Sequence, residues 1–199
     1  MYLFTPHQPQ PPTGVMWTNP SNSFCIVQDN HYGIYDSNTK TFLLPVKYKY
    51  IQTTNFPHLF KVAKNTKHGI YDAKTNTWPV PMKYINIFST PSPNLWIVLK
   101  QRWWHFDSQC SYGLYSSYTN TFITPIGAYN DIERTNSPIL WIVRKNGKYG
   151  IYDSMLQKLD SKIVYDKIDT TNDPYVFEAI QDKVKGILRG KDDQGGRDA

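Results

Sequence analysis

The sequence is poor in cysteine and has no long apolar run, and both absences narrow the class of protein. Only two cysteines occur among 199 residues, Cys25 and Cys110. They could pair if the fold brought them together, but we expect two reduced thiols in a cytoplasmic protein. No window of about 18 apolar residues could span a membrane as a helix. The segment from Met1 to Pro12 lacks the basic and apolar regions of a secretory signal.

Motifs that carry catalysis are also missing. The sequence has no glycine-rich phosphate loop, no Gly-x-Ser-x-Gly, no Cys-x-x-Cys and no His-Glu-x-x-His. His105, Asp107 and Cys110 are metal-ligand types close in sequence, but no fourth partner is visible. Nothing marks an orienting group that would make Cys110 a nucleophile with His105 as its base. We therefore predict no metal, no cofactor and no enzymatic activity.

The composition favours strands and a modestly basic surface. Aromatic residues make up 15% of the chain, with 15 tyrosines. Such a bias is typical of β-structure. Lys and Arg number 22 against 16 Asp and Glu, for a net charge of +6. This excess favours acidic partners such as an acidic protein, a nucleic acid or a phosphorylated ligand. The basic residues form no dense run, so an ordinary soluble surface is the simpler explanation.

One short motif, a glycine followed by an aliphatic residue, occurs five times along the chain. The copies are Tyr32-Gly33-Ile34-Tyr35-Asp36, His68-Gly69-Ile70-Tyr71-Asp72, Tyr112-Gly113-Leu114-Tyr115, Tyr149-Gly150-Ile151-Tyr152-Asp153 and Lys185-Gly186-Ile187-Leu188. Successive motif glycines are 36, 44, 37 and 36 residues apart. A fixed period of this length predicts a repeat architecture, in which each unit buries its apolar face against its neighbours.

Each unit is predicted to contain short strands joined by turns. Units begin near residues 24, 60, 96, 141 and 177, where apolar and polar residues alternate with the period of a strand. Asn146-Gly147 is a two-residue hairpin signal between the first strand and the motif strand. The aspartates that follow three of the motifs are predicted to cap turns. A ring of Asp36, Asp72 and Asp153 lining an axial site is the less favoured alternative.

The two ends of the chain are complementary. The fifth unit lacks the strand that ends in proline, whereas the chain begins with such a strand, Tyr2-Leu3-Phe4-Thr5-Pro6. We therefore predict one all-β domain over residues 1–189, in which residues 2–6 complete the last unit. A small five-bladed β-propeller would remove exposed sheet edges, and an open β-solenoid is the alternative. Residues 190–199 are predicted to be a flexible polar tail.

The fourth unit resembles a known repeat family. Lys145-Asn146-Gly147-Lys148-Tyr149-Gly150-Ile151-Tyr152-Asp153, with Tyr165-Asp166-Lys167-Ile168 after it, is similar to the WG (KWG) β-repeat of bacterial proteins. The resemblance covers most of residues 16–189, although Tyr, His or Lys replaces the family's tryptophan before each glycine. It implies a β-repeat that binds or scaffolds, with no catalytic residues to transfer. In bacteria such modules include parts of toxin, antitoxin and defence systems.

The third unit carries an insertion of eight residues, within Gln101 to Cys110. Its candidate partner-binding residues are Arg102, Trp103, Trp104, His105 and Phe106. Trp and Arg are enriched in interface hot spots, and aromatic rings also stack on bases or sugars. We predict a non-enzymatic bacterial interaction module that binds a protein partner, of the immunity or antitoxin type. The alternatives are a nucleic-acid or carbohydrate binder, and an insertion that merely plugs its own sheet. Four loops between units form a second candidate binding face, with solvated connectors as the alternative: Thr53 to Leu59, Ser89 to Leu95, Thr135 to Leu140 and Thr170 to Tyr175.

Closure by residues 2–6 is testable. Deleting residues 1–6 should remove much of the stability, because a ring would reopen and expose two strand edges. Thermal unfolding of the truncated chain measures the effect. A melting temperature that barely changes would contradict closure and favour the open solenoid.

Overall fold

A computed structural model, which describes residues 15–18, 23–101 and 110–190, contains strands and turns only. The described residues form nineteen strands in five small antiparallel sheets, and they include no helix. This confirms the predicted all-β fold of repeated units. Nothing in the described ranges is a helix long and apolar enough to cross a membrane.

The strands follow one another in chain order within their sheets. The first sheet contains β1 (Val15–Thr18), β2 (Ser23–Gln28), β3 (His31–Asp36) and β4 (Thr41–Tyr48). The second contains β5 (Tyr50–Thr53), β6 (Leu59–Lys64), β7 (Lys67–Asp72) and β8 (Thr77–Tyr84). The third contains β9 (Asn86–Ser89), β10 (Leu95–Gln101), β11 (Cys110–Ser116) and β12 (Thr121–Tyr129). The fourth contains β13 (Asp131–Arg134), β14 (Leu140–Lys145), β15 (Lys148–Asp153) and β16 (Lys158–Leu159). The fifth contains β17 (Lys167–Thr170), β18 (Val176–Gln181) and β19 (Val184–Arg189).

Each sheet is offset from the sequence repeat by one strand. The short strand at the end of a sequence unit pairs with the first long strand of the next unit, as Ile51 of β5 pairs with Val62 of β6. The same pairing joins β13 to β14 and β17 to β18. Each of the first four repeats therefore contributes strands to two successive sheets.

The chain divides into two compact units, one up to Trp78 and one from Pro79 onward. In the first unit the core includes Phe60, Ile70 and Tyr71, which are almost completely buried. In the second unit the apolar side chains lie in two clusters. One cluster contains Leu95, Ile97, Leu114, Ile132, Trp141, Val143 and Tyr152, and the other contains Leu140, Ile142, Ile151, Ile168, Phe177 and Ala179. Both clusters combine residues of neighbouring sheets, as a repeat architecture requires.

The motif tyrosine links neighbouring sheets. The hydroxyl of Tyr71 in the second sheet donates to the carbonyl oxygen of Leu43 in the first, at 3.3 Å. Tyr152 in the fourth sheet likewise donates to the carbonyl oxygen of Ile123 in the third, at 3.0 Å. Burial raises the pKa of both tyrosines to about 12, so both hydroxyls stay protonated. The Gly-Ile-Tyr motif is therefore part of the scaffold, as its repetition predicts.

The predicted turns are confirmed. Asn146 and Gly147 both have positive φ, at 51° and 78°, which is the conformation of a type I′ hairpin turn. Asp29-Asn30 and Asp182-Lys183 adopt the same conformation. An oxygen of Asp36 accepts hydrogen bonds from the backbone N–H groups of residues 38 and 39, and Asp72 and Asp153 do the same in their own turns. These three aspartates thus serve as turn caps.

The fifth sheet has three strands in the part of the chain that the structure describes, whereas the other four sheets have four. Ile187 on its last strand is 57% exposed, although the equivalent Ile34, Ile70, Leu114 and Ile151 are at most 1% exposed. Residues 2–6, which were predicted to complete this sheet, lie outside the described residues. The predicted tail lies outside them as well from residue 191 onward.

The motif glycines Gly33 and Gly113 leave little room for a side chain, so alanine substitutions there should be destabilising. A Cβ on Gly33 would lie 2.8 Å from the backbone oxygen of Leu44 and 2.9 Å from the Val46 side chain. A Cβ on Gly113 would meet only side chains, with Ile126 nearest at 2.8 Å. Gly33→Ala and Gly113→Ala should each destabilise the fold by about 1–3 kcal/mol through overpacking.

A second substitution at the contacting side chain distinguishes the two positions, with the free energy of unfolding measured in denaturant. Ile126→Ala should recover much of the loss in Gly113→Ala, because a flexible side chain causes that clash. Val46→Ala should not rescue Gly33→Ala, since the Leu44 carbonyl stays in place. Equal rescue at both positions would show that the backbone contact at Gly33 is not the constraint.

Candidate functional site

The insertion of the third unit extends a hairpin that is firmly anchored. Strands β10 and β11 pair from Leu95 opposite Ser116 to Gln101 opposite Cys110. Trp96 and Val98 on β10 are fully buried. In the second sheet the equivalent hairpin ends at Lys64 and Lys67, and in the fourth at Lys145 and Lys148, with two residues in each turn. The insertion therefore continues from the tip of a rigid hairpin, as predicted from its length.

The predicted binding residues lie in the middle of this insertion. Arg102, Trp103, Trp104, His105 and Phe106 all fall outside the described residues. Of the residues that adjoin the tip, Lys100 is exposed and Ser111 is buried. The described end of the hairpin thus carries a positive charge close in sequence to the aromatic segment.

The loops between the first two strands of each sheet are held by a repeated threonine. The hydroxyl of Thr90 donates to the carbonyl oxygen of Leu95 at 2.6 Å and accepts from the N–H of Ser92 at 3.1 Å. Thr54, Thr135 and Thr171 make the same two bonds in their own loops. Sequence reasoning missed this role, although the threonine recurs at the same place in these four repeats. Because the described loops of the second to fifth sheets share the clamp, they are more regular than their variable sequences indicate.

Among the described residues, no strand pairs with the outer side of β19 in the fifth sheet, and apolar side chains are exposed there. Val184 is 71% exposed, and a Cβ on Gly186 would meet no described atom within 4 Å. Tyr165, Ala179, Leu188 and their neighbours line an open groove of about 400 Å³ along this edge. Lys185 on the same strand forms an ion pair with Glu178 at 2.7 Å. Such an edge offers unpaired backbone groups to any extended segment.

Chemically reactive groups are few in the described part of the chain. The thiol of Cys25 is buried, and burial raises its pKa to about 11, so little thiolate forms at neutral pH. Burial and the nearby charge of Lys61 lower the pKa of His68. The described residues contain no group of three or more His, Cys, Asp or Glu side chains able to hold a metal ion. His105 and Asp107 lie outside the described residues, as does the side chain of Cys110.

Comparisons with known proteins add little to this geometry. No protein-family model matches the chain, and no curated protein matches its sequence significantly. A eukaryotic initiation factor superposes with a TM-score of 0.49 and 8% identity, over 84% of this chain and 48% of that one. Hsv2 of Kluyveromyces lactis superposes with a TM-score of 0.43 and 9% identity, over 85% of this chain and 57% of that one. The N-terminal domain of Nup159 superposes with a TM-score of 0.40 and 11% identity, over 88% of this chain and 57% of that one.

This chain therefore spans about half the length of the solved structures it matches. TM-scores below 0.5 do not establish a shared fold. The five-sheet architecture accordingly rests on the strand pairing itself.

The anchored hairpin makes the insertion separable from the fold. Replacing Gln101–Cys110 by Asn-Gly, the turn of the fourth sheet, should change the free energy of unfolding by less than about 1 kcal/mol, because shorter loops cost little entropy to close. Denaturant unfolding of the shortened chain measures this. A large loss of stability would instead support the interpretation of the insertion as a plug over its own sheet.

Proposed function

We propose that this protein is a non-enzymatic module that binds a protein partner through the insertion of its third unit. The observation that carries the proposal is the β10–β11 hairpin, where ten residues stand in place of the two-residue turn of the fourth sheet. Repeat proteins commonly place binding residues in insertions on a rigid array, because the scaffold limits the entropy lost on binding.

The composition of the insertion supports a protein partner. Its sequence contains two adjacent tryptophans and a phenylalanine, which offer large apolar area, and Arg102, which offers a planar cation. Together with the exposed Lys100, these residues suit a partner surface that combines an apolar pocket with acidic groups. The WG resemblance favours an immunity or antitoxin role, in which the partner would be a toxin.

A pull-down with the purified chain tests the proposal. The double variant Trp103→Ala/Trp104→Ala should lose the partner, with binding weakened by about 2 kcal/mol or more if the two rings form the hot spot. Tyr118→Ala is the matched control, because Tyr118 is 84% exposed in the turn at the opposite end of β11. A partner that survives the double variant, or is lost equally in the Tyr118 variant, would contradict the assignment of the insertion.

A nucleic acid or carbohydrate is the alternative ligand of the same insertion, favoured by the net charge of +6. Tryptophan rings stack on bases, and basic residues contact phosphates, so binding would weaken steeply as salt rises. Fluorescence anisotropy with single-stranded DNA and RNA at low salt examines this case. Absence of binding at low salt removes the nucleic-acid alternative.

A further inference from the structure

Four residues occupy the same place just before the first strand of the second to fifth sheets. In the third sheet this residue is Ile85, whose N–H donates to the carbonyl oxygen of Leu99 at 2.9 Å and whose side chain has no polar atom. The N–H of Lys49 donates to the carbonyl oxygen of Ala63 at 2.9 Å. The N–H of Asn130 donates to Arg144 and that of Asp166 to Ile180, both at 2.7 Å. Their side chains can therefore be compared directly.

In two of the sheets this side chain accepts a hydrogen bond from the nearby hairpin turn. Asn130 Oδ1 accepts from the N–H of Asn146 at 2.9 Å. Asp166 Oδ2 accepts from the N–H of Asp182 at 2.8 Å. An oxygen acceptor at this place thus satisfies the first residue of the turn.

Asp166 has a second partner in the preceding sheet. Its other oxygen forms an ion pair with Lys148 of β15. The shared hydrogen bond raises the pKa of Lys148 and lowers that of Asp166. A single carboxylate between the fourth and fifth sheets therefore joins a lysine on one side to a turn N–H on the other.

The equivalent place between the first and second sheets has lost its acceptor. Lys49 replaces Asp166, His31 is at the place of Lys148, and Asn65 is at the place of Asp182. A lysine cannot accept a hydrogen bond, so Lys49 cannot cap the N–H of Asn65. The backbone hydrogen bond of Lys49 is the same as that of Asp166, but no carboxylate is present at this place.

Two further lysines surround the same place. Lys47, Lys49 and Lys64, with His31 and the turn residues Asn30 and Asn65, line an open cavity of about 450 Å³. No carboxylate is among these lining residues, and none of the three lysines takes part in the ion pairs of the described residues.

The arrangement of these lysines works against stability. Lys64 lies directly opposite Lys67 in the β6–β7 ladder, and like charges at that spacing repel. Lys47 is partly accommodated by the ring of Tyr48, whose centroid is 5.8 Å from its Nζ. The fold therefore concentrates positive charge at this surface site. The equivalent place between the fourth and fifth sheets has one lysine, Lys148, and two aspartates, Asp166 and Asp182.

We propose that the cavity formed by Lys47, Lys49 and Lys64 binds a phosphate group. The phosphate oxygens would take the place that the Asp166 carboxylate has between the fourth and fifth sheets. A phosphate dianion offers several acceptor oxygens and so can contact more than one ammonium group and the N–H of Asn65 together. A carboxylate carries one charge and two oxygens, and would leave part of this site unmatched. This site is independent of the insertion proposed above to bind a protein.

Titration of the full chain with inorganic phosphate tests the site, with backbone amide shifts recorded by NMR. The N–H of Asn65 should shift, and acetate and chloride at matched ionic strength should produce no comparable shift. Lys49→Asp introduces the residue found at the equivalent Asp166. It should weaken phosphate binding about tenfold or more, because at least one charge-assisted hydrogen bond is lost. Lys64→Gln, which introduces the residue found at the equivalent Gln181, should also weaken binding.

Lys74→Asp is the matched control. It changes the net charge as Lys49→Asp does, in the exposed turn after β7 at the other end of the second sheet. It should alter phosphate affinity by less than about twofold, because exposed charges at a distance are screened by salt. Equal weakening by both aspartate variants, unchanged binding in Lys49→Asp, or the same shifts with acetate would overturn the proposal.

Glycerol 3-phosphate identifies the source of the group. Since the cavity is open, a phosphate monoester should bind about as well as inorganic phosphate, with the remainder of the molecule in solvent. Equal affinities would support a site for phosphate groups on larger molecules, and a preference for inorganic phosphate would support a site for the free ion.

Discussion

The fold depends on the close approach of the chain to the motif glycine, as at Gly33 and Gly150. At Gly33 the following strand lies so near that its Leu44 carbonyl occupies the space of a side chain, and at Gly150 the Lys162 carbonyl lies within 3.0 Å of that space. This contact brings the third and fourth strands of a sheet together and buries the neighbouring isoleucine. In two repeats the tyrosine two residues after the motif glycine reaches the preceding sheet.

That tyrosine explains why the repeats stabilise one another. Tyr71 and Tyr152 each donate a hydrogen bond to a carbonyl oxygen of the preceding sheet, while their rings pack in the core. The offset between sequence unit and sheet has the same effect, because each unit contributes strands to two sheets. Neighbouring units are therefore joined by covalent continuity, by apolar packing and by hydrogen bonds, and a single unit would lack most of its core.

Local chemistry made much of this architecture predictable. Asn146-Gly147 requires positive φ at both residues, and the aspartates after the motif cap turns through their own neighbours. The offset of the sheets was missed because each short strand was assigned to the unit before its loop, whereas it pairs across that loop with the strand that follows, as Ile51 does with Val62. The tip of the β10–β11 hairpin was predicted from the glycine spacing, whereas its aromatic residues lie outside the described residues. Lys49 was missed because one lysine among many is unremarkable until Tyr48-Lys49 is aligned with Tyr165-Asp166.

No described strand pairs with the outer edge of β19, and the other sheets indicate what a strand at that edge must provide. In the third and fourth sheets, the N–H after the motif glycine donates to a hydroxyl, from Leu114 to Thr124 and from Ile151 to Ser161, both at 2.8 Å. By repeat equivalence, Ile187 presents the same N–H at the edge of the fifth sheet. A strand that covers this edge must therefore offer an acceptor there, as well as apolar groups for Val184 and Ile187. When Pro6 is aligned with Pro125, Thr5 takes the place of Thr124 in the sequence, so the segment predicted to complete the fifth unit carries the hydroxyl that this edge requires.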